Sequence, residues 1–155
     1  MAGTQRDQAA TPARPPHREP PSLLYMVKQV ELVARSHLDE LVKPSGITAL
    51  QYTALTVLER HDGLSAAQLA RDSFVTAQSI ADLVRSLENR GLIRRERNPR
   101  NRRELLILLT EAGRELLEQY ACRVRELEER MVRDLTAHQR EQFRTALSKA
   151  WHALS

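Results

Sequence analysis

The sequence has little that would tie the chain together covalently or hold it in a membrane. Its single cysteine, Cys122, excludes a disulfide bond within the chain. No secretory signal is visible, so we expect a reducing compartment and a cytoplasmic protein. The longest apolar runs, such as Leu105 to Leu109, are far shorter than the roughly 20 residues that a membrane-spanning helix requires.

The sequence also lacks the patterns that accompany common catalytic sites. Its five glycines are isolated from one another, so no glycine-rich loop can hold a phosphate group. No pair of histidines has metal-ligand spacing, and no Ser-His-Asp set can be argued from the sequence. We therefore expect neither an enzyme nor a bound metal or other cofactor.

What the sequence does contain is a concentrated positive charge. The whole chain carries a formal net charge of +4. Residues 90–103 hold seven arginines and one acidic residue, Glu96, so this segment alone has a net charge of +6. From residue 111 to residue 155, the acidic and basic side chains cancel. A basic patch on a nearly neutral body indicates binding to a polyanion such as nucleic acid.

The first 46 residues divide into two segments. Residues 1–21 contain five prolines and almost no large apolar residues, so we expect a disordered N-terminal arm. From Ser22, apolar residues recur every three or four positions, which predicts a helix with one buried face. Pro44 and Gly46 end this first helix, whose segment spans residues 22–46.

Residues 47–109 begin with three predicted helices. Two capping boxes, one at Thr48 with Gln51 and one at residues 65 and 68, mark the starts of the first two. After a turn at residues 73–75, Thr76 is placed to cap a longer helix that Gly91 closes. Apolar residues lie on one face of this longer helix, and the opposite face is polar.

An arginine-rich hairpin and two further helices follow. Residues 92–97 and 104–109 predict two strands, and the Asn-Pro-Arg-Asn segment between them supplies the turn. Thr110 then caps a long helix, and a third capping box begins the last helix. The predicted fold is mainly α with a small β hairpin: a winged helix-turn-helix over residues 47–109, followed by C-terminal helices over residues 110–155.

The polar face of the longer helix is a candidate DNA-reading surface. The major groove of B-DNA, about 12 Å wide, admits one α-helix, and outer residues near the helix N-terminus reach the base edges. Those residues are Thr76, Gln78, Ser79, Asp82 and Arg85. At the hairpin tip, Arg100, Arg102 and Arg103 could enter a narrow minor groove. The alternative is that the polar residues are only solvated surface.

Several segments resemble the MarR family of bacterial regulators. The family's second helix is similar to "ITALQYTALTVL", its helix-turn-helix to "LSAAQLARDSFVTAQSIADLVRSLENRGLIRR", and its wing and long helix to "NPRNRRELLILLTEAG". Two positions depart from the family pattern: Asn101 stands where aspartate is usual, and Phe74 where a small residue is common. An amide can still hydrogen-bond Arg103, but it lacks the charge that would hold the guanidinium firmly.

The resemblance implies a homodimer on double-stranded DNA. The first helix and the C-terminal helices would form a dimerisation region, and two DNA-reading helices would meet a pseudo-palindromic operator. It further implies a sequence-specific transcriptional regulator, most often a repressor, that a small, often aromatic, ligand releases from DNA. Candidate ligand contacts are Tyr25, Arg35, His37 and Tyr52. The alternative is that both tyrosines are core aromatics and that His37 is merely exposed.

Two other functions stay open at this point. The first is a redox-responsive regulator acting through Cys122, although its acidic neighbours Glu118, Glu126 and Glu129 oppose a reactive thiolate. The second is a protein-interaction module that has lost DNA binding, against which the arginine-rich hairpin argues.

Overall fold

A computed structural model describes residues 20–61 and 63–154, and within them the chain forms six α-helices and three β-strands. The helices are α1 (Leu23–Val42), α2 (Ala49–Glu59), α3 (Ala66–Asp72), α4 (Ala77–Asn89), α5 (Glu111–Val132) and α6 (Ala137–Leu154). The strands are β1 (Leu64–Ser65), β2 (Ile93–Asn98) and β3 (Asn101–Leu109). A short 3-10 helix, Lys43–Ser45, follows α1. Of the predicted disordered arm, residues 1–19 lie outside the described residues.

The helices begin where the sequence places capping residues. The side chain of Thr48 accepts a hydrogen bond from the backbone N–H of Gln51, and the Gln51 amide oxygen accepts one from the N–H of Thr48. The same reciprocal pair begins α3, while Ser22, Thr76 and Thr110 cap α1, α4 and α5. Each cap satisfies backbone donors that have no partner in the first helical turn. The predicted helix starts are therefore confirmed.

The sheet has one strand more than the predicted hairpin. β3 lies in the centre and pairs antiparallel with β2 on one side and with β1 on the other. The two residues of β1 face Ile107 and Leu106, which ties the segment after α2 to the base of the wing. The turn lies in the predicted Asn-Pro-Arg-Asn segment, with Pro99 and Arg100 at the tip, but β2 begins and ends one residue later than predicted and β3 begins three residues earlier. A two-residue strand escapes sequence reasoning because it is shorter than any alternating pattern.

The core lies where α2, α3 and α4 pack on the base of the sheet. Its fully buried side chains include Leu55, Leu69, Leu87, Ile93 and Ile107. Each such burial stabilises the fold by roughly 1.5–3 kcal/mol relative to exposure. From α5, Leu117 and Tyr120 join the same cluster, so the base of α5 is packed against the unit formed by α2, α3, α4 and the sheet.

Large apolar side chains of α1 and α6 stay exposed in the single chain. Leu23 and Leu24 are 81% and 80% exposed at the start of α1, and Val27 and Val33 continue the surface along that helix. On α6, Trp151 is 46% exposed. Apolar patches of this kind on a folded chain mark surfaces that another molecule covers. In the described ranges, none of the helices has an apolar stretch that would reach across a lipid bilayer.

The turn before α4 is strained. Phe74 has a φ angle of 60°, a left-handed conformation that costs a non-glycine residue roughly 1 kcal/mol. Its ring is exposed to solvent and lies edge-on to Trp151, with the ring centroids 5.1 Å apart. The preceding residue, Ser73, is fully buried, and the backbone N–H of Val75 bonds to the carbonyl of Ala70. A buried residue on one side and a partly buried, hydrogen-bonded residue on the other therefore hold Phe74 in this conformation.

The wing and α5 approach each other closely at Gly113. A Cβ atom added to Gly113 would lie 2.3 Å from the carbonyl oxygen of Leu92 and 2.6 Å from Cδ1 of Leu109. The Leu92 carbonyl is fixed because it accepts a hydrogen bond from the N–H of Thr110 at 3.1 Å. Only glycine at position 113 lets α5 start this close to β2.

Candidate nucleic-acid interface

Helix α4 separates apolar from polar residues on its two sides. Ile80, Leu83, Val84 and Leu87 are buried against the core, as the sequence predicts. All five residues predicted to face DNA on this helix are exposed, which are Thr76, Gln78, Ser79, Asp82 and Arg85. The helix thus presents one polar face to solvent, and its N-terminal turn is accessible to a ligand.

The predicted residues on α4 differ in the hydrogen bonds and ion pairs that they already form within the chain. Thr76 Oγ1 accepts from the Ser79 N–H at 3.1 Å and donates to Ser79 Oγ at 2.9 Å, so both hydroxyls support the helix start. Arg85 and Asp82 form an exposed ion pair with an Nη1–Oδ1 distance of 3.3 Å. The Gln78 side chain makes no hydrogen bond to any described residue, and its amide is available to a base edge.

Arginines of the wing fall into two groups. Near its base, Arg94 pairs with Glu96, and Arg95 pairs with Glu88 of α4. The arginines nearer the tip are exposed and form no ion pair within the described part of the chain: Arg97, Arg100, Arg102 and Arg103. The segment's excess positive charge is therefore concentrated at the tip of the wing.

Asparagine side chains shape the tip of the wing. Asn98 Oδ1 accepts from the backbone N–H of Arg100 at 2.9 Å, and Asn98 Nδ2 donates to Glu104 at 2.6 Å. Asn101 Oδ1 accepts from the backbone N–H of Arg103 at 3.2 Å. The expected bond between Asn101 and Arg103 thus forms, but to the main chain. The guanidinium of Arg103 is left free to contact a phosphate.

Two contacts that the sequence does not reveal hold α4 in place. The side-chain amide of Gln51 makes two bonds. Its oxygen caps α2, and its nitrogen donates to Ser86 Oγ at 2.9 Å. At the end of α4, the Arg90 guanidinium donates to the carbonyl of Ser45, beside Gly46. Both contacts join residues more than 30 positions apart in the sequence, where no spacing pattern can indicate them.

The structure places the four predicted ligand contacts in different surroundings. Tyr52 is buried in the core, and this burial, followed by the charges of Glu59 and Glu128, raises the pKa of its hydroxyl. Tyr25 and His37 are exposed on α1, and Arg35 pairs with Glu31 at 3.1 Å. None of the four lines the open groove of about 720 Å³ beside α5, whose walls are Cys122 and six charged side chains.

Cys122 is exposed on α5, and its thiol faces Glu126 with an Sγ–Oε1 distance of 3.8 Å. Between residues 20 and 154, apart from the undescribed position 62, no three His, Cys, Asp or Glu side chains are grouped to hold a metal ion.

The three-helix unit, the sheet and the arginine-tipped hairpin together define a winged helix-turn-helix protein. A model described as the MarR family matches residues 45–104, which cover α2 to the outer part of the wing. The chain is 33% identical over 125 residues to the HTH-type transcriptional repressor Rv2887 of Mycobacterium tuberculosis. The aligned segment covers 81% of this chain and 90% of Rv2887. The chain belongs to the MarR family of transcriptional regulators.

Solved structures agree with this assignment. The Staphylococcus aureus MepR-DNA complex matches with a TM-score of 0.75 and 25% identity, over 85% of this chain and 98% of MepR. Rv2887 in complex with p-aminosalicylic acid matches with a TM-score of 0.68 and 32% identity, over 84% of this chain and 98% of the other. The predicted winged helix-turn-helix fold is therefore confirmed.

Proposed function

We propose that the protein is a sequence-specific transcriptional repressor that binds double-stranded DNA as a homodimer, without catalytic activity of its own. The observation that carries the proposal is the charge arrangement of the wing, whose tip arginines are unpaired, together with the exposed polar face of α4. Such a surface matches a phosphate backbone flanking an open groove. The proposed function belongs to the cytoplasm, because bacterial chromosomal DNA lies there.

Helix α4 would read the bases, and the wing would hold the flanking backbone. The free Gln78 amide suits adenine, and Arg85 suits guanine once its exposed pair with Asp82 exchanges for a base. Thr76 and Ser79 lie at the positive end of the helix, where a phosphate is favoured. Arg100, Arg102 and Arg103 would contact the backbone or a narrow minor groove.

A second copy of the chain would cover the exposed apolar residues of α1 and α6. A symmetric dimer buries the same patch on both protomers, which removes Leu23, Leu24 and Trp151 from water. Its two α4 helices would meet half-sites about one helical turn, roughly 34 Å, apart. The operator is accordingly a pseudo-palindrome.

Binding assays with variants of α4 and the wing test this proposal. We expect Gln78→Ala and Arg85→Ala to change base preference by about 1–3 kcal/mol at single operator positions. We expect Arg103→Ala to weaken binding to every duplex and to reduce the dependence of log affinity on log salt by about one. Fluorescence anisotropy on the region upstream of the protein's own gene, at about 50 and about 200 mM salt, measures both quantities.

The matched control is Gln119→Ala, which removes an exposed glutamine from α5. This variant should bind every duplex as the wild type does. If the wild type prefers no fragment of its host's genome over random duplex, or if it is monomeric, the proposed function is wrong.

We further propose that a small aromatic ligand relieves repression. Support comes from the Rv2887 complex with p-aminosalicylic acid and from polar groups on α1 and α2 that could orient a carboxylate or phenol. Those groups are Tyr25, Arg35, His37 and Tyr52. Release requires only that the ligand prefers a spacing of the two DNA-reading units that does not fit the operator.

A titration with p-aminosalicylic acid tests ligand relief on the wild type and two variants of α1. We expect the acid to release operator DNA, and we expect Arg35→Ala to need about tenfold more, because a charge-assisted hydrogen bond to the carboxylate is lost. Lys28→Ala is the control, since Lys28 and Arg35 both pair with Glu31 at 3.0 and 3.1 Å. Equal responses of the two variants would remove Arg35 from the ligand site.

A further inference from the structure

The geometry points to Glu88 and Arg95 as positioning residues that fix the angle between the DNA-reading helix and the wing. The pair would let α4 and the wing tip engage two neighbouring grooves at the same time. This inference rests on the proposed DNA-binding function and adds to it how the two binding elements are held in register.

The two side chains join α4 and β2 directly. Glu88 lies in the last turn of α4, and Arg95 is the third residue of β2. Arg95 Nε donates to one oxygen of the Glu88 carboxylate at 3.0 Å, and Nη2 donates to the other oxygen. Two parallel bonds from a planar guanidinium to a planar carboxylate restrain direction as well as distance. The pair therefore opposes rotation of the wing about its base.

Backbone pairing holds β2 to β3, but β2 contributes almost no buried side chain to the outer part of the wing. Of the six residues of β2, only Ile93 is buried, and Asn98 is partly buried. The connection from α4 to β2 passes through Gly91, which has a φ angle of 69° and no atom within 4 Å of where a Cβ would lie. Arg94 pairs within its own strand, with Glu96, and so gives no link to α4. Arg95 alone among the wing arginines reaches back to α4 in the described structure.

Stability does not account for this pair. Neither side chain is buried, with 43% of Arg95 and 31% of Glu88 exposed, and ion pairs in contact with solvent contribute little to the free energy of unfolding. The hydrogen bonds from Arg95 lower the pKa of Glu88 and outweigh its partial burial, so the carboxylate stays ionised at neutral pH. A charged acid beside a DNA-binding face repels phosphate, and its electrostatic effect alone would weaken binding.

Charge variants separate positioning from bulk electrostatics, because the two effects have opposite signs at Glu88. If only charge matters, Glu88→Gln tightens DNA binding. If the pair positions the wing, Glu88→Gln weakens operator binding by about tenfold, and random-duplex binding is unchanged or tighter. Arg95→Gln weakens operator binding to a similar extent. The charge-swapped double variant E88R/R95E keeps the net charge and should restore affinity to within about threefold of the wild type.

Glu96→Gln is the matched control, since it removes an equal charge from a wing ion pair that does not touch α4. It should leave operator affinity unchanged or higher. Footprinting of wild-type and Glu88→Gln complexes gives a second readout: protection of the flanking minor groove by the wing should be lost, and protection of the major groove by α4 retained.

The results that overturn the inference are a Glu88→Gln variant that behaves like Glu96→Gln, or a swapped variant that is no better than the single ones. Either result leaves the proposed function intact as long as the wild type selects its operator. A wild type that selects no operator contradicts the proposed function itself. Thermal unfolding of every variant should match that of the wild type. This measurement distinguishes a variant that fails to fold from one in which the wing is no longer held at its angle to α4.

Discussion

Replacing Gly113 with alanine is expected to lower the free energy of unfolding by about 3 kcal/mol, because the added methyl group has no space. Its carbon would lie 2.3 Å from a backbone oxygen of Leu92 and 2.6 Å from a methyl carbon of Leu109. The backbone oxygen cannot move without breaking its hydrogen bond to Thr110. Either α5 shifts outward, or the base of β2 does, and both movements open the core near Leu117. Urea unfolding followed by circular dichroism measures the change.

Gly91→Ala is the control for this substitution. A Cβ at Gly91 meets nothing within 4 Å, but the residue has a φ angle of 69°, so the cost is the roughly 1 kcal/mol of a left-handed conformation. If the two alanine variants unfold at the same urea concentration, close packing at Gly113 is not what fixes the start of α5.

Removing the charge from the wing tip is expected to have the largest effect on DNA binding. The triple variant Arg100→Gln, Arg102→Gln, Arg103→Gln should bind any duplex about two to three orders of magnitude more weakly near 0.1 M salt. Its log affinity should fall less steeply with log salt, by about three in slope, because three fewer counterions are released. Folding should be unaffected, since these side chains are exposed and have no acidic partner in the described structure.

The comparison variant removes three arginines from the exposed surface of α5, at Arg123, Arg125 and Arg130. Its net charge changes by the same amount, but on a helix outside the proposed DNA-binding surface. A triple wing variant with the same affinity and slope as this comparison variant would mean that charge anywhere on the protein suffices, and that the wing tip has no special role.

The sequence predicts the helices well because their starts are encoded locally. Thr48, Ser65, Thr76 and Thr110 each satisfy a backbone donor three residues ahead, so the residue type and the spacing together mark the helix start. The buried and polar faces of α4 follow from the same local periodicity. Exposure of the candidate DNA contacts could therefore be predicted, although the bases they contact could not.

Contacts between distant segments could not be predicted, because they depend on how the helices pack. Strand β1 forms because Leu64 and Ser65 pair with β3. The pairing of Arg95 with Glu88 likewise depends on the direction in which β2 leaves α4. From the sequence, all seven arginines of residues 90–103 contribute equally to a basic patch. In the structure, Arg94 and Arg95 pair with carboxylates and Arg90 donates to a backbone carbonyl, so the arginines without a partner are those near the tip.

A single amide sets both where α2 begins and how α4 is oriented. The side-chain oxygen of Gln51 closes the first turn of α2, and the nitrogen of the same amide donates to Ser86 on α4. Sliding α4 along α2 by even one residue would break the bond between Gln51 and Ser86. The Gln51 amide would then be held only by its bond to Thr48. The same side chain therefore links the start of α2 to the position of α4, and a shift of α4 would cost the bond to Ser86 while both bonds of the capping box remained.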